Sequence, residues 1–335
     1  KSLKLHDEMF NDNRSIYSYI LLLNINDIHK ACIIKNLFKP TNIAQQQKEF
    51  ENNLILDILH KLPTNRAYKT LLVLVENKIN NSRVRWLMRQ FIKERKNIKF
   101  EALKYKRAMK AIFRHSHINS DKLLHDKEID YFLFANTKDK TTGKKKKELI
   151  KDKLFKTYIQ AAVDKNAVFD LPYSVAEGFK NLHKISDKEF MEKMKEKLTE
   201  GEKRRVQRRA EKVGVEVELD LSKQTPINIL KLLRNPDLKL PSVKLDGIYE
   251  FEKSCEKEAK ELFEYFDFKN VKIVLDNSGS MYGSDEKKYH PISVAEAVAN
   301  VLKYLSDESE IVSVPNKGSF LSEVSGESNI ADGII

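Results

Sequence analysis

The sequence predicts a mainly α-helical protein that ends in a small α/β segment. Three observations carry that expectation. Glycine and proline number only 10 and 8 in 335 residues, so the chain lacks the punctuation of an all-β fold. Apolar residues recur at helical spacing through most of 15–117, as in Leu54, Ile58 and Leu62, or Ala102, Tyr105, Met109 and Ile112. From Lys272 onward the order changes to strand, loop, helix and strand, one unit of a parallel α/β sheet.

Polar breaks at 39–42, 63–65 and 77–82 divide the first hundred residues into helices of ordinary length. Successive helices joined by short turns predict a helical-repeat, HEAT-like array without a fixed sequence period. The stretch 137–149 reads as a surface loop with its lysines concentrated at Lys144–Lys147. It is not a phosphate-binding P-loop, because the first glycine of that pattern and the preceding strand are missing. A helix is expected over 154–163, and Leu171-Pro172 breaks the chain before the next one.

Arg204, Arg205, Arg208 and Arg209 fall on one face of a helix in the charged run 200–212. Val215–Leu221 alternates like a short strand or an extended loop, and Pro226 opens a helix running to Leu233. Phe251, Cys255, Ala259, Leu262, Phe263 and Phe266 mark a longer amphipathic helix. Val271–Leu275 then reads as a buried strand and Ile311–Val314 as a second one. Between them, Ser293-x-x-Glu296 has the pattern of a capping box. It would open a helix with Val294, Val298, Val301, Leu302 and Leu305 on its apolar side.

The net charge of +12 and pI near 9.3 favour a polyanionic partner, nucleic acid first. Lysine is spread along the chain, so solvated helix faces account for part of that surplus. Two well-separated cysteines, Cys32 and Cys255, give neither a disulfide framework nor a zinc signature. No apolar run approaches the ~18–20 residues of a membrane span, and 1–12 has no signal-peptide core. These features predict a cytoplasmic protein without membrane association.

Two patterns carry chemistry. Asp276-Asn277-Ser278-Gly279-Ser280 follows the first strand, and ligands in open α/β sheets bind beyond strand carboxyl ends. Its carboxylate and two hydroxyls are hard oxygen donors suited to Mg²⁺, with Ca²⁺ acceptable. The second pattern is basic. Lys106, Arg107, Lys110 and Arg114 form a helical stripe, and Arg83, Arg85 and Arg89 flank the single tryptophan, Trp86. Together with Arg204, Arg205, Arg208 and Arg209 they are candidates for phosphate contacts, which neutralise backbone charge largely without regard to sequence. Trp86 itself is expected in the core. His115-x-His117 has no third ligand at a useful spacing, so it is expected to cap or face solvent. No G-x-S-x-G, H-E-x-x-H or paired catalytic carboxylates occur, which favours binding over catalysis.

The D-x-S-x-S loop, with its strand and helix, resembles the metal-ion-dependent adhesion site (MIDAS) of von Willebrand factor A domains. In that family a threonine from a G-G-T-D-like loop also serves. Gly326-Glu327-Ser328-Asn329 is the nearest match here, with Ser328 in the threonine position and Asn329 replacing an acid. A helical array followed by such a domain is the layout of the Ro autoantigen, or TROVE-domain, family. Ile229–Asn235 is similar to that family's A-L-L-R-N segment, and 84–89 and 104–114 are similar in character to its basic repeat helices.

The resemblance implies a helical-repeat (TROVE-like) domain over 1–266 and the N-terminal portion of a doubly wound A domain over 267–335, with the remainder of that domain lying past Ile335. It implies a monomeric ribonucleoprotein component, not an enzyme. The helices would form a ring that binds small structured or misfolded non-coding RNA, and a Mg²⁺-binding A domain would join the ring's ends. The rival expectation is a protein-assembly module, in which the metal held by Asp276, Ser278, Ser280 and Ser328 recruits an acidic partner.

Overall fold

The computed structural model describes residues 2–23, 25–39, 43–234, 241–266, 268–284 and 288–314. It is mostly helical, with one small two-stranded parallel sheet among the described residues. The chain divides into two compact units, Lys1–Lys197 and Leu198–Ile335.

In the first unit, side-chain caps fix several helix starts. Asn26 accepts from the His29 N–H at 3.0 Å to open Asp27–Leu37, and Asn81 accepts from the Val84 N–H at 3.0 Å to open Ser82–Lys93. Each satisfies a backbone donor that the first turn would otherwise leave unpaired. The buried faces follow helical spacing: Ile33, Ile34 and Leu37, then Ile55 and Leu59, then Leu71 and Leu74, then Leu87, Met88 and Phe91. Packing joins next-but-one neighbours. Asp27–Leu37 lies on Thr64–Glu76, and Gln45–Lys61 lies on Ser82–Lys93. Thr64–Glu76 continues the row onto Lys106–His115.

Local departures from the sequence expectation have local causes. The helix expected through Ala102, Tyr105, Met109 and Ile112 is broken at Tyr105, between Ile98–Lys104 and Lys106–His115. The Tyr105 ring stacks on Tyr68, with centroids 5.1 Å apart. The expected loop at 137–149 is an ordered turn. Lys138 and Lys145 form an antiparallel bridge, and the Asp139 carboxylate accepts from the Thr141 and Thr142 N–H groups. Gly143 there has φ +69°, a left-handed value that glycine adopts without a Cβ clash. Lys146–Leu149 forms a short helix.

In the second unit, strand β1 (Phe268–Asp276) pairs in parallel with β2 (Ser306–Val314), in register from Phe268↔Ser306 to Asp276↔Val314. Both strands start earlier than the apolar runs indicate, because the ladder continues through first halves that are mostly exposed to solvent. Helix His290–Tyr304 is the crossover that a parallel pair requires. Ile229, Leu230 and Leu233 of helix Pro226–Leu233, with Phe251, Cys255 and Ala259 of helix Pro241–Leu262, share a buried cluster with Ala297, Val301 and Leu305. That shared core places both helices in the same compact unit as the strands, whereas the sequence reading drew its boundary after residue 266.

The capping box expected at Ser293 does not form. The helix starts four residues earlier, at His290 instead of Val294, with Pro291 in its first turn and Tyr289 before it at φ 57°. Ser293 is therefore interior, and Glu296 binds Arg234 instead. Val298 is 51% exposed, while Ala297, Ala299 and Val301 turn inward. A capping box does exist at Thr199 and Glu202, opening helix Glu200–Lys212. Among the described residues no helix is long and apolar enough to cross a membrane.

One buried ion network holds the first unit's early helices together. Arg14 donates to both Glu51 carboxylate oxygens at 2.7 and 2.8 Å, and Arg83 donates to one of them at 3.0 Å. Burial pushes the Glu51 pKa upward, but the hydrogen bonds from Arg14, Gln47 and Arg83 outweigh it and hold the group below its usual value. Its contribution is thus complete above the ordinary carboxylate range and is lost as pH falls through the lowered pKa. Glu51→Gln should cost about 3–5 kcal/mol at neutral pH, because two guanidiniums lose their counter-charge. Urea denaturation at pH 7 and again in acid checks this, and the deficit should shrink at low pH.

Candidate functional site

The loop after β1 gathers oxygen atoms because the strand ends on Asp276 and the chain turns at once. The Asp276 Oδ1 accepts from the Ser278 N–H at 2.9 Å. Asn277 is buried, and its N–H donates to the Val314 carbonyl at 2.9 Å, so the parallel ladder itself fixes the loop's origin. The short 3₁₀ turn Gly279–Tyr282 follows, with the Met281 N–H donating to the Ser278 carbonyl at 2.9 Å. That turn brings the Ser278 and Ser280 hydroxyl oxygens to 2.9 Å from each other. Asp276, Ser278 and Ser280 are thus presented on one loop, as the spacing predicts.

One carboxylate with two convergent hydroxyls suits a hard divalent cation that keeps several waters. Among the described residues no group of three His, Cys, Asp or Glu side chains could hold a metal, so any cation at this loop relies on the serine hydroxyls. Ser328, the remaining expected ligand, lies outside the described residues, as does Asn235 of the 229–235 segment.

Arg234 donates to Glu296 at 2.5 Å within the same unit, and their side chains are only 6% and 4% exposed. The pair joins the end of helix Pro226–Leu233 to the crossover helix. Neither residue was singled out as a pair by sequence reading, since 62 positions separate them.

The basic candidates separate into different environments. Arg83 is committed to Glu51, Asn52 and the Leu37 carbonyl, and its guanidinium stacks on Phe38. Arg85 bonds Asn80, and Arg89 donates to the His117 carbonyl at 3.4 Å. Trp86, expected in the core, is 37% exposed. His115 caps the Ile79 carbonyl at 2.8 Å, as expected for a histidine without co-ligands. On helix Glu200–Lys212, Val206 and Ala210 are buried, Arg205 and Arg208 are exposed, and Arg204 and Arg209 are half-buried. Arg205 lies 4.0 Å from Glu202.

The stripe on Lys106–His115 differs from these. Among the described residues no carboxylate pairs with Lys106, Arg107, Lys110 or Arg114. Instead, Lys106, Lys110 and Arg114 lie along aromatic rings. The Lys106 Nζ is 3.9 Å from the Phe132 centroid and 5.1 Å from that of Tyr158, while Lys110 and Arg114 lie 5.7 and 5.5 Å from Phe134. Lys146 joins them at 5.5 Å from Phe134, although it is also paired with Asp130 at 2.5 Å. Burial, with repulsion from Lys110, pushes the Lys106 pKa down to about 8. The sequence shows the four cations but not the rings beneath Lys106, Lys110 and Arg114. The aromatic spacing of Tyr131, Phe132, Phe134 and Tyr158 was the available signal.

Comparison with known proteins returned no matching family model, no matching curated protein and no matching solved structure.

The Arg234–Glu296 pair gives a direct test of what holds this unit. Glu296→Gln should lower stability by about 3–5 kcal/mol, and the double change Arg234→Met, Glu296→Leu should recover much of it. Thermal denaturation of the single and double variants checks both outcomes.

Proposed function

We propose that this protein is an RNA-binding scaffold that holds small non-coding RNA on its helical unit and carries a cation site on its α/β unit. The observation that carries the reading is the row of four cations on Lys106–His115, which no carboxylate neutralises among the described residues. Elsewhere in the helical unit many basic side chains are paired, as in Arg95–Glu101, Lys99–Asp152 and Lys165–Glu189. An uncompensated row in a chain of net charge +12 is suited to phosphates, whose counterions it would release. The next-but-one packing of helices supports an array of the helical-repeat kind. The resemblance to the Ro, or TROVE-domain, family rests on the residues quoted above and supplies the RNA class.

In this reading Asp276, Ser278 and Ser280, with Ser328, would hold Mg²⁺. When bound, the ion supplies a positive centre that accepts a carboxylate from a protein partner. The chain's own contribution is the loop geometry. Hydrogen bonding orients Asp276, and the 3₁₀ turn converges the hydroxyls. The protein-assembly reading shares this site and differs only in assigning no RNA to the helices.

RNA recovered by crosslinking from the full chain tests the proposal. Arg107→Glu with Lys110→Glu should weaken binding at least tenfold and reduce the slope of log affinity against log salt by about 2. Failure to recover any RNA would leave the assembly reading in its place. For the cation, Mg²⁺ at ~100 times its Kd should stabilise the protein by about 2.7 kcal/mol. Asp276→Ala should remove that gain, as read by calorimetric melting with and without the ion.

A further inference from the structure

Among the described residues Lys106 is the stripe cation that lies over two rings, where Lys110 and Arg114 lie over one. It is half-buried, its ammonium lies 3.9 Å from the Phe132 centroid and 5.1 Å from that of Tyr158, and among the described residues it has no carboxylate partner. The rings are held by their own ladder. Phe132 stacks on Phe155 at 4.4 Å with the planes 6° apart, and Tyr158 meets Phe132 and Phe179 edge-on at 5.2 and 5.0 Å. The amine therefore rests on a rigid aromatic floor.

The charged groups around it leave the site electropositive. Lys110 and Arg107 come from its own helix, and Arg107 acts on the neighbouring Tyr158 phenol. On the packed helix Lys127–Leu133, Asp130 is taken by Lys146, Glu128 accepts the Lys151 and Asp152 N–H groups, and Lys127 pairs with Asp121. On Ile98–Lys104, Glu101 is taken by Arg95 and Tyr68, Lys99 by Asp126 and Asp152, and Lys104 lies over Phe100. On Thr64–Glu76, Arg66 pairs with Asp27, and Lys69 and Glu76 complete the charged set.

We propose that Lys106, with Arg107 and Lys110, forms a phosphate subsite on the aromatic floor, and that occupation of this subsite by a phosphodiester is coupled to uptake of a proton by Lys106. The proposal rests on the RNA reading for its natural ligand, but its chemistry needs only phosphate. Burial away from any carboxylate, with repulsion from Lys110, pushes the free amine's pKa down to about 8. An arriving phosphate supplies the missing counter-charge and raises the pKa. By linkage, affinity is full below the free-state value and falls as pH rises above it. With the free group near 8, binding should weaken roughly tenfold between pH 7 and pH 9.

The test is fluorescence anisotropy of a labelled single-stranded oligouridylate with the full chain, from pH 6.5 to 9.5 at constant ionic strength. The wild type should lose affinity roughly tenfold across pH 7 to 9. Lys106→Arg, charged throughout, should bind with little pH dependence, and Lys106→Gln should bind weakly at every pH. Circular dichroism melts establish that both variants fold. A wild-type profile flat from pH 7 to 9, or an unchanged slope in Lys106→Arg, overturns the inference while leaving RNA binding intact. If the oligonucleotide does not bind at all, the RNA reading fails. Calorimetry with inorganic tripolyphosphate in two buffers of different ionisation enthalpy then decides the subsite. Proton uptake upholds it, and no binding or no uptake overturns it.

Discussion

Glu51 has its side chain wholly removed from solvent, and it remains a carboxylate there because Arg14 and Arg83 both donate to it. A buried charge is tolerated only when a partner of opposite sign and good geometry comes with it. The same constraint recurs at Glu101, which holds Arg95 through several short contacts and accepts the Tyr68 hydroxyl at 2.9 Å. It recurs again in the second unit at Glu296 and Arg234. These carboxylates fasten helices that are distant in sequence, and they take basic residues out of circulation. What remains on Lys106–His115 is distinguished by having escaped this pairing.

That sorting explains why some of the candidate residues were legible and others were not. The strand cores at 271–275 and 311–314, the proline-started helix at 226, and the convergence of Asp276, Ser278 and Ser280 follow from local pattern, and local pattern is what sequence carries best. Arg83 and Arg107 look alike in sequence, each within a basic helical run. Only the fold reveals that Arg83 meets a carboxylate 32 positions away while Arg107 meets none among the described residues. Ser293 and Thr199 show the same limit within one motif. Both begin a capping-box pattern, but Pro291 starts its helix early and moves Ser293 into the interior. The division into compact units after Lys197 differs from the boundary expected after residue 266 for a related reason. Amphipathic helices at 226–233 and 241–262 do not state which partner their apolar faces will cover, and the crossover helix is that partner.

Aromatic residues play opposite parts in the two units. In the first, Phe132, Phe155, Tyr158 and Phe179 form a ladder in which Phe132 and Tyr158 also face the Lys106 ammonium, so apolar packing and charge placement are the same event. In the second, Phe263, Tyr265, Phe266 and Phe268 lie exposed around the start of β1, away from the end of the strand where the oxygen donors gather. The two ends of β1 therefore differ in character, one aromatic and the other rich in hydroxyls and carboxylate.

The parallel register has a kinetic consequence. Phe268 pairs with Ser306 and Asp276 with Val314, so no rung can close until the whole intervening segment, crossover helix included, has been gathered in. Loop-closure entropy must be met before any ladder contact repays it, which makes non-local parallel pairing slow. The Asn277 N–H depends on the last rung for its partner. The oxygen-bearing loop therefore lacks this anchor until Val314 has been made and seated.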